Sequence, residues 1–284
     1  MIASVRKHPL VVFFLLAYAF TWLRWMPEAA AGRGLIDFQT PFAMVLLAGY
    51  GPALAAILVT ALVSGGAGLK DLGARLVRWR VAPVWYLVVL ALPVLIQLAG
   101  RALYILFNDT KVDVTATPPD WSLILMYFPI FILGFDGLGE ELGWRGFALP
   151  KMLKNQSAVL ASLILGLLWG FWHLGYWLTP GSFMQDTPLT LVIANTVALS
   201  FLHTWIFTNA RHSILLAILF HAINNTTAIF LANTLPFDAG SQVGWITNLI
   251  HWFLIFWLLL YAKPYRLIDQ IRPGKPPVAA GPFH

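Results

Sequence analysis

The chain has 284 residues, 59% of them hydrophobic and 11% charged, and its 18 Lys and Arg against 12 Asp and Glu give a formal net charge of +6. An ordinary soluble domain is about 25% charged, so this composition calls for a bilayer rather than a soluble core. The basic excess, with no Lys/Arg cluster on a soluble unit, argues against nucleic-acid binding. Cysteine is absent, which removes disulfides, thiolate metal ligands and cysteine nucleophiles together.

A membrane span needs about 20 mostly apolar residues. Eight stretches qualify in chain order: 9–25, 41–64, 83–107, 121–139, 159–178, 189–208, 213–233 and 243–262. Short polar or Gly/Pro-rich connections separate them. The expected fold is therefore an all-α polytopic bundle of about eight transmembrane helices around a polar cavity. It forms one domain over 1–271, with a core at about 120–233 and a loose, proline-bearing tail at 272–284. The first stretch follows Arg6 and Lys7 in the manner of a secretory signal, but it reads as a retained anchor, because removing it would leave an odd number of spans.

Charge at the span ends sets an orientation. The N-terminus, the loops 65–80, 140–158 and 209–212 and the C-terminus carry fourteen of the eighteen cations. The opposite side holds Arg24, Arg33, Arg101 and Lys111. The positive-inside rule then puts both termini in the cytoplasm of a cell membrane.

Three polar constellations interrupt the spans. The first follows the fourth span and reads GEELGWRG from Gly139. Glu141 and Arg145 are four apart, on one helical face in the favoured order, while Glu140 points about 100° away. One carboxylate is thus tied to Arg145 as a strut and the other is free. The second is LLWGFWH in the fifth span, where Trp169 and His173 share a face. The third is FHAINNT in the seventh, where His221 and Asn225 share a face. One such face is explained by interhelical hydrogen bonds. Three, with a carboxylate and two imidazoles, make a reactive centre, since ionisable groups in spans face the bundle interior or a wet cavity.

The chemistry suited to this set is amide hydrolysis by activated water. A buried carboxylate acts as general base on water, an imidazole shares that work or protonates the leaving amine, and a second imidazole with an amide donates to the oxyanion. Rival designs are absent: there is no H-E-x-x-H, no G-x-S-x-G, and Asp136 is the only Asp in the spans, so no aspartyl dyad forms. His203 and His251 lie in spans without an i, i+4 polar partner and read as packing or interhelical bonds. His8, His212 and His284 lie at ends or in loops.

In this order the three motifs resemble those of the CAAX-protease and bacteriocin-processing (Abi) family of intramembrane proteases. Two glutamates, three residues and an Arg match Glu140, Glu141 and Arg145. An aromatic, three residues and a His match Trp169 and His173, with Trp where the family has Phe. A His, three residues and a polar residue match His221 and Asn225. The resemblance implies that Glu140 activates water with help from His173, that His221 and Asn225 form the oxyanion site, and that Glu141 and Arg145 support them. The implied substrate is a membrane-embedded or lipidated peptide or protein. The expected reaction needs no cofactor. Zinc held by Glu140, His173 and His221 is the alternative, since two His and a Glu leave one position for water. Two non-peptidase readings stand beside it: an inactive membrane scaffold, which has no use for the full polar set, and a proton-coupled transporter, which also uses membrane Glu and His.

Overall fold

A computed structural model of the chain describes residues 2–109, 120–134, 136–232, 235 and 239–260. The loop carrying Lys111, the residues after 260 and the tail at 272–284 lie outside the described residues. The described elements are all helical: α1 (Ile2–Lys7), α2 (Pro9–Ala31), α3 (Phe42–Leu76), α4 (Pro83–Asn108), α5 (Ser122–Leu133), α6 (Gly137–Gly143), a π-helical turn (Trp144–Ala148), α7 (Leu149–Met152), α8 (Ala158–Trp172), α9 (Leu174–Trp177), α10 (Leu189–Asn209), α11 (Ile214–Phe230) and α12 (Ala239–Leu260). No strand occurs among the described residues.

Seven segments are long and apolar enough to cross a membrane, and the protein is an integral membrane protein. The eighth expected span is α11, which has 17 residues and so sits at the short end of what a bilayer accepts. Arg101 of α4 compensates at its C-terminal end. Nε lies 3.2 Å from the Leu231 carbonyl and Nη2 3.5 Å from that of Ala228. A cation there satisfies last-turn carbonyls and opposes the helix dipole. The N-terminal end of α11 is capped by Ser213, whose Oγ accepts from the Leu216 amide at 3.3 Å.

Two boundaries differ from the sequence expectation. The second span was expected to stop at 64, whereas α3 continues to Leu76 through a kink at Gly65. Its φ of 59° and ψ of −154° are open only to glycine. The fourth span was expected to end before Glu140. Instead Ser122–Met152 forms one candidate span, broken after α5, and Glu140 and Glu141 lie inside it. Glycines permit this. A Cβ on Gly139 would stand 2.1 Å from the Gly49 carbonyl oxygen of α3. Backbone therefore packs against backbone and carries both carboxylates into the bundle.

The inner layer is α8, α10 and α11, with buried residues on most of their length. One apolar cluster links them to α2, α3, α4 and α12, from Val5 to Leu258. By contrast α5 buries no residue completely. Cations gather at two ends. At one, Nη1 of Arg75 donates to the Gly146 carbonyl at 2.8 Å, Arg78 to that of Arg211 at 2.5 Å, and Arg211 to that of Arg80 at 3.1 Å. The loops read as one basic side thus meet at one end. At the other end Arg24 pairs with Glu28 at 2.9 Å, and Arg33 binds the Leu178 carbonyl.

Candidate active site

The GEELGWRG stretch builds the centre of the site. Glu140 and Glu141 lie on α6, and the helix then widens into the π-helical turn that holds Trp144 and Arg145. Such π-bulges occur often at functional sites. Glu140 is 3% exposed, and Glu141 and Arg145 are completely buried. Burying a carboxylate is costly unless donors meet it, so the partners of each decide what it does.

Glu140 gives Oε2 to two indoles. Nε1 of Trp169, from α8, donates at 2.5 Å, and Nε1 of Trp144, one turn along, donates at 3.1 Å. Both donors are neutral. A phenylalanine at position 169 would keep the ring but lack this N–H.

Glu141 meets a cation instead. Nη1 of Arg145 lies 2.9 Å from its Oε1, the strut expected from their spacing. The guanidinium also stacks over the Trp169 ring, with Cζ 4.5 Å from its centroid. Removing one partner of such a pair strands a buried charge, at about 3–5 kcal/mol. The same Oε1 lies 2.8 Å from Nδ1 of His221. Motifs one and three are thus joined by a carboxylate–imidazole contact across 80 residues of sequence.

His173 is the single turn residue between α8 and α9. Its Nδ1 is 2.9 Å from the Trp169 carbonyl. A carbonyl only accepts, so Nδ1 donates and Nε2 is left as the free lone pair. From α2, Trp22 donates to the Trp172 carbonyl at 2.9 Å, and the Trp25 ring lies 6.5 Å from the imidazole, nearly parallel. The first spans bear no diagnostic motif, yet α2 helps to frame His173.

Asn225 differs from its expected surroundings. Its Nδ2 donates to Oδ2 of Asp136 at 2.8 Å, and its Oδ1 accepts from Nδ2 of Asn224 at 3.2 Å. One amide hydrogen is thus engaged and the other remains. Asp136 entered the sequence reading only as a lone Asp without a dyad partner. A lone carboxylate in an apolar span calls for a polar partner, but no local pattern named Asn225 as that partner.

His203 is the second residue that the sequence did not place. It lies on α10 with Nε2 3.5 Å from Oε1 of Glu141. Its ring centroid is 5.8 Å from that of His221 and 5.7 Å from that of Trp169. No i, i+4 polar neighbour marked it.

Among the described residues one trio brings its ligand atoms within 4.8 Å of one another: Glu141, His203 and His221. The donor types suit zinc, but the charge does not. Oε1 of Glu141 already receives the Arg145 guanidinium at 2.9 Å. A dication would be placed against that fixed positive charge. The set expected for zinc, Glu140, His173 and His221, is not this trio. Glu140 presents Oε2 to two indole donors, whereas the bond at Nδ1 of His173 leaves its Nε2 open as a ligand atom. The Arg145 cation thus weighs against a metal at the trio, and the indole donors on Glu140 against one at the expected set.

The arrangement therefore combines a buried carboxylate held by neutral donors, an imidazole with one free nitrogen, and an imidazole backed by a carboxylate–guanidinium pair. Residues 120–227 match the Rce1-like family, described as type II CAAX prenyl endopeptidases. The chain is also similar to CAAX prenyl protease 2 of Methanococcus maripaludis, with 25% identity over 261 residues that cover 82% of this chain and 89% of the relative. All three motifs fall inside the matched segment, and both comparisons liken the chain to CAAX prenyl endopeptidases.

Proposed function

We propose that the protein is an intramembrane endopeptidase that hydrolyses a peptide bond with water activated by Glu140, without a metal. The observation that carries this reading is the unequal treatment of the two adjacent glutamates. Glu141 is committed to Arg145 at 2.9 Å, while Glu140 meets only neutral indole donors. A carboxylate without a fixed cation keeps its basicity in a buried site.

In this reading Glu140 takes a proton from water as the water oxygen attacks the peptide carbonyl carbon. Nε2 of His173, left free by the bond at Nδ1, orients that water. The carbonyl oxygen becomes an oxyanion. His221, protonated on both ring nitrogens, donates Nδ1–H to Glu141 and Nε2–H to this oxygen, together with the second amide hydrogen of Asn225. Asp136 holds that amide in place. The C–N bond then breaks as the proton on Glu140 passes to the leaving nitrogen. Trp169, Glu141 and Arg145 orient these groups.

The family description and the name of the relative support a prenylated CAAX segment as the substrate class, and the buried site supports a lipidated or membrane-embedded peptide. The basic end carrying Arg75, Arg78 and Arg211 is proposed to be cytoplasmic in the cell membrane, and residues 1–271 to act as a single catalytic domain. The test is purified protein with a prenylated CAAX peptide and a membrane-peptide library, read by product mass. Wild type should cleave. Glu140→Gln and His173→Ala should lose at least about 100-fold in rate, and excess chelator should leave the wild-type rate unchanged. Activity lost to chelator and restored by zinc would overturn the metal-free reading. Equal cleavage by Glu140→Gln would overturn the role of Glu140.

A further inference from the structure

The corner where the α3–α4 turn (77–82) meets the α10–α11 turn (210–213) has no part in the reaction above. Its own arginines tie the two turns together. Nη1 of Arg78 donates to the Arg211 carbonyl at 2.5 Å, and Nη1 of Arg211 donates to the Arg80 carbonyl at 3.1 Å. Oγ of Ser213 donates to the Arg78 carbonyl at 2.6 Å. The guanidinium of Arg80 makes no hydrogen bond among the described residues and lies over the Trp79 ring, with Cζ 5.1 Å from its centroid. Arg211 and His212 follow one another with φ of 55° and 59°. Non-glycine residues hold that left-handed conformation only where their surroundings enforce it.

Three guanidiniums thus crowd two short turns, and among the described residues no carboxylate pairs with any of them. Asp71, on the adjoining end of α3, is engaged by Arg75 at 3.0 Å. The chain beyond residue 260 does not balance them, since it carries four Lys and Arg against one Asp. Like charges repel, and each guanidinium keeps N–H groups that no described residue accepts. Apolar surface adjoins this charge. Val77 and Trp79 are exposed beside the arginines. Helix α4 starts three residues past Arg80, and its Val84, Leu87 and Leu90 are exposed at every third position. Residues three apart share a helical face, so an apolar stripe leads away from the cations along the span.

We propose that this corner binds an anionic phospholipid: Arg78, Arg80 and Arg211 hold its phosphate, the Trp79 ring lies at headgroup level, and an acyl chain follows Val84, Leu87 and Leu90. The guanidinium fork matches phosphate oxygens, and tryptophan is favoured at the membrane interface. Cations next to a span are drawn to anionic lipid in the cytoplasmic leaflet, the side on which the charge count places this end. A zwitterionic lipid carries the same phosphate but brings its own cation, which three unpaired arginines disfavour. The site is independent of the peptidase reading.

The test offers the purified full chain, in detergent, phosphatidylglycerol, phosphatidylcholine with the same acyl chains, or inorganic phosphate. Bound lipid is counted by native mass spectrometry, and unfolding temperature is measured beside it. Wild type should retain phosphatidylglycerol in preference to phosphatidylcholine, and only phosphatidylglycerol should raise the unfolding temperature. Each cation of this kind is worth about fivefold in binding. Arg80→Gln should therefore weaken retention about fivefold, and the triple change with Arg78→Gln and Arg211→Gln about a hundredfold. Arg80→Gln breaks no hydrogen bond, so it reports on the site even where the triple variant fails to fold. Arg24→Gln, at the opposite end, should change nothing. Equal retention of the two lipids, or an undiminished preference in Arg80→Gln, would overturn the proposal. Stabilisation by inorganic phosphate alone would assign the arginines to a soluble anion and overturn the lipid.

Discussion

The Trp169 indole nitrogen donates to Oε2 of Glu140 at 2.5 Å, while the face of the same ring carries the guanidinium of Arg145. One side chain thus touches two members of the first motif, Glu140 through its edge and Arg145 through its face.

Trp169→Phe removes the edge donor and keeps an aromatic ring. A hydrogen bond to a charged group is worth about 1.5–3 kcal/mol, so kcat should fall by roughly 10- to 100-fold. Peptide cleavage by the purified variant checks this. A wild-type kcat would mean that Trp144 alone holds the carboxylate.

Asp136 holds Asn225 through one amide hydrogen. Asp136→Ala frees that amide to rotate and should reduce kcat about tenfold, by analogy with other partners that orient functional groups. Asp136→Asn keeps an acceptor and should cost less. The order of the two rates is the readout, with thermal unfolding in detergent confirming that both variants fold.

Gly139→Ala places a Cβ 2.1 Å from the Gly49 carbonyl oxygen, a backbone atom that cannot rotate away. Helices α3 and α6 must part, at a cost of about 1–3 kcal/mol or more. The expected result is a lower unfolding temperature together with lost activity, because α6 carries both glutamates. Gly73→Ala, where a Cβ meets nothing within 4 Å, should leave both unchanged.

His212 lies in the turn between α10 and α11, outside the spans. Burial lowers its affinity for a proton below the ordinary value of 6.5, and Arg75 and Arg78 lower it further. The unfolded chain therefore binds the proton more readily than the folded one, and folding weakens as pH falls below about 6.5. Unfolding temperature in detergent should drop on acidification through that range. His212→Asn, which tolerates the positive φ of 59° found there, should flatten the dependence. An equal slope in both proteins would assign the effect to other groups.

The helices were legible because bilayer chemistry writes each span into a contiguous apolar run, and α2, α4, α8, α10, α11 and α12 begin close to the expected residues. Short-range pairs were legible for a similar reason. Glu141 with Arg145 and Trp169 with His173 are one helical turn apart, and both contacts form. The burial of Glu140 was not, since hydropathy ends a span at the first charges. It took two indole donors and a backbone-tight helix contact to keep these carboxylates inside.

Which helix faces which is a matter of rotation and tilt, and no local pattern encodes it. His203 looked like core packing because its partner is Glu141, 62 positions earlier, and Asp136 looked solitary because its partner is Asn225. Residues alone supplied the reactive groups, through local spacing and the cost of polarity in lipid. Tertiary packing alone assigned their neighbours, giving Glu141 a guanidinium and two imidazoles and leaving Glu140 to the indoles.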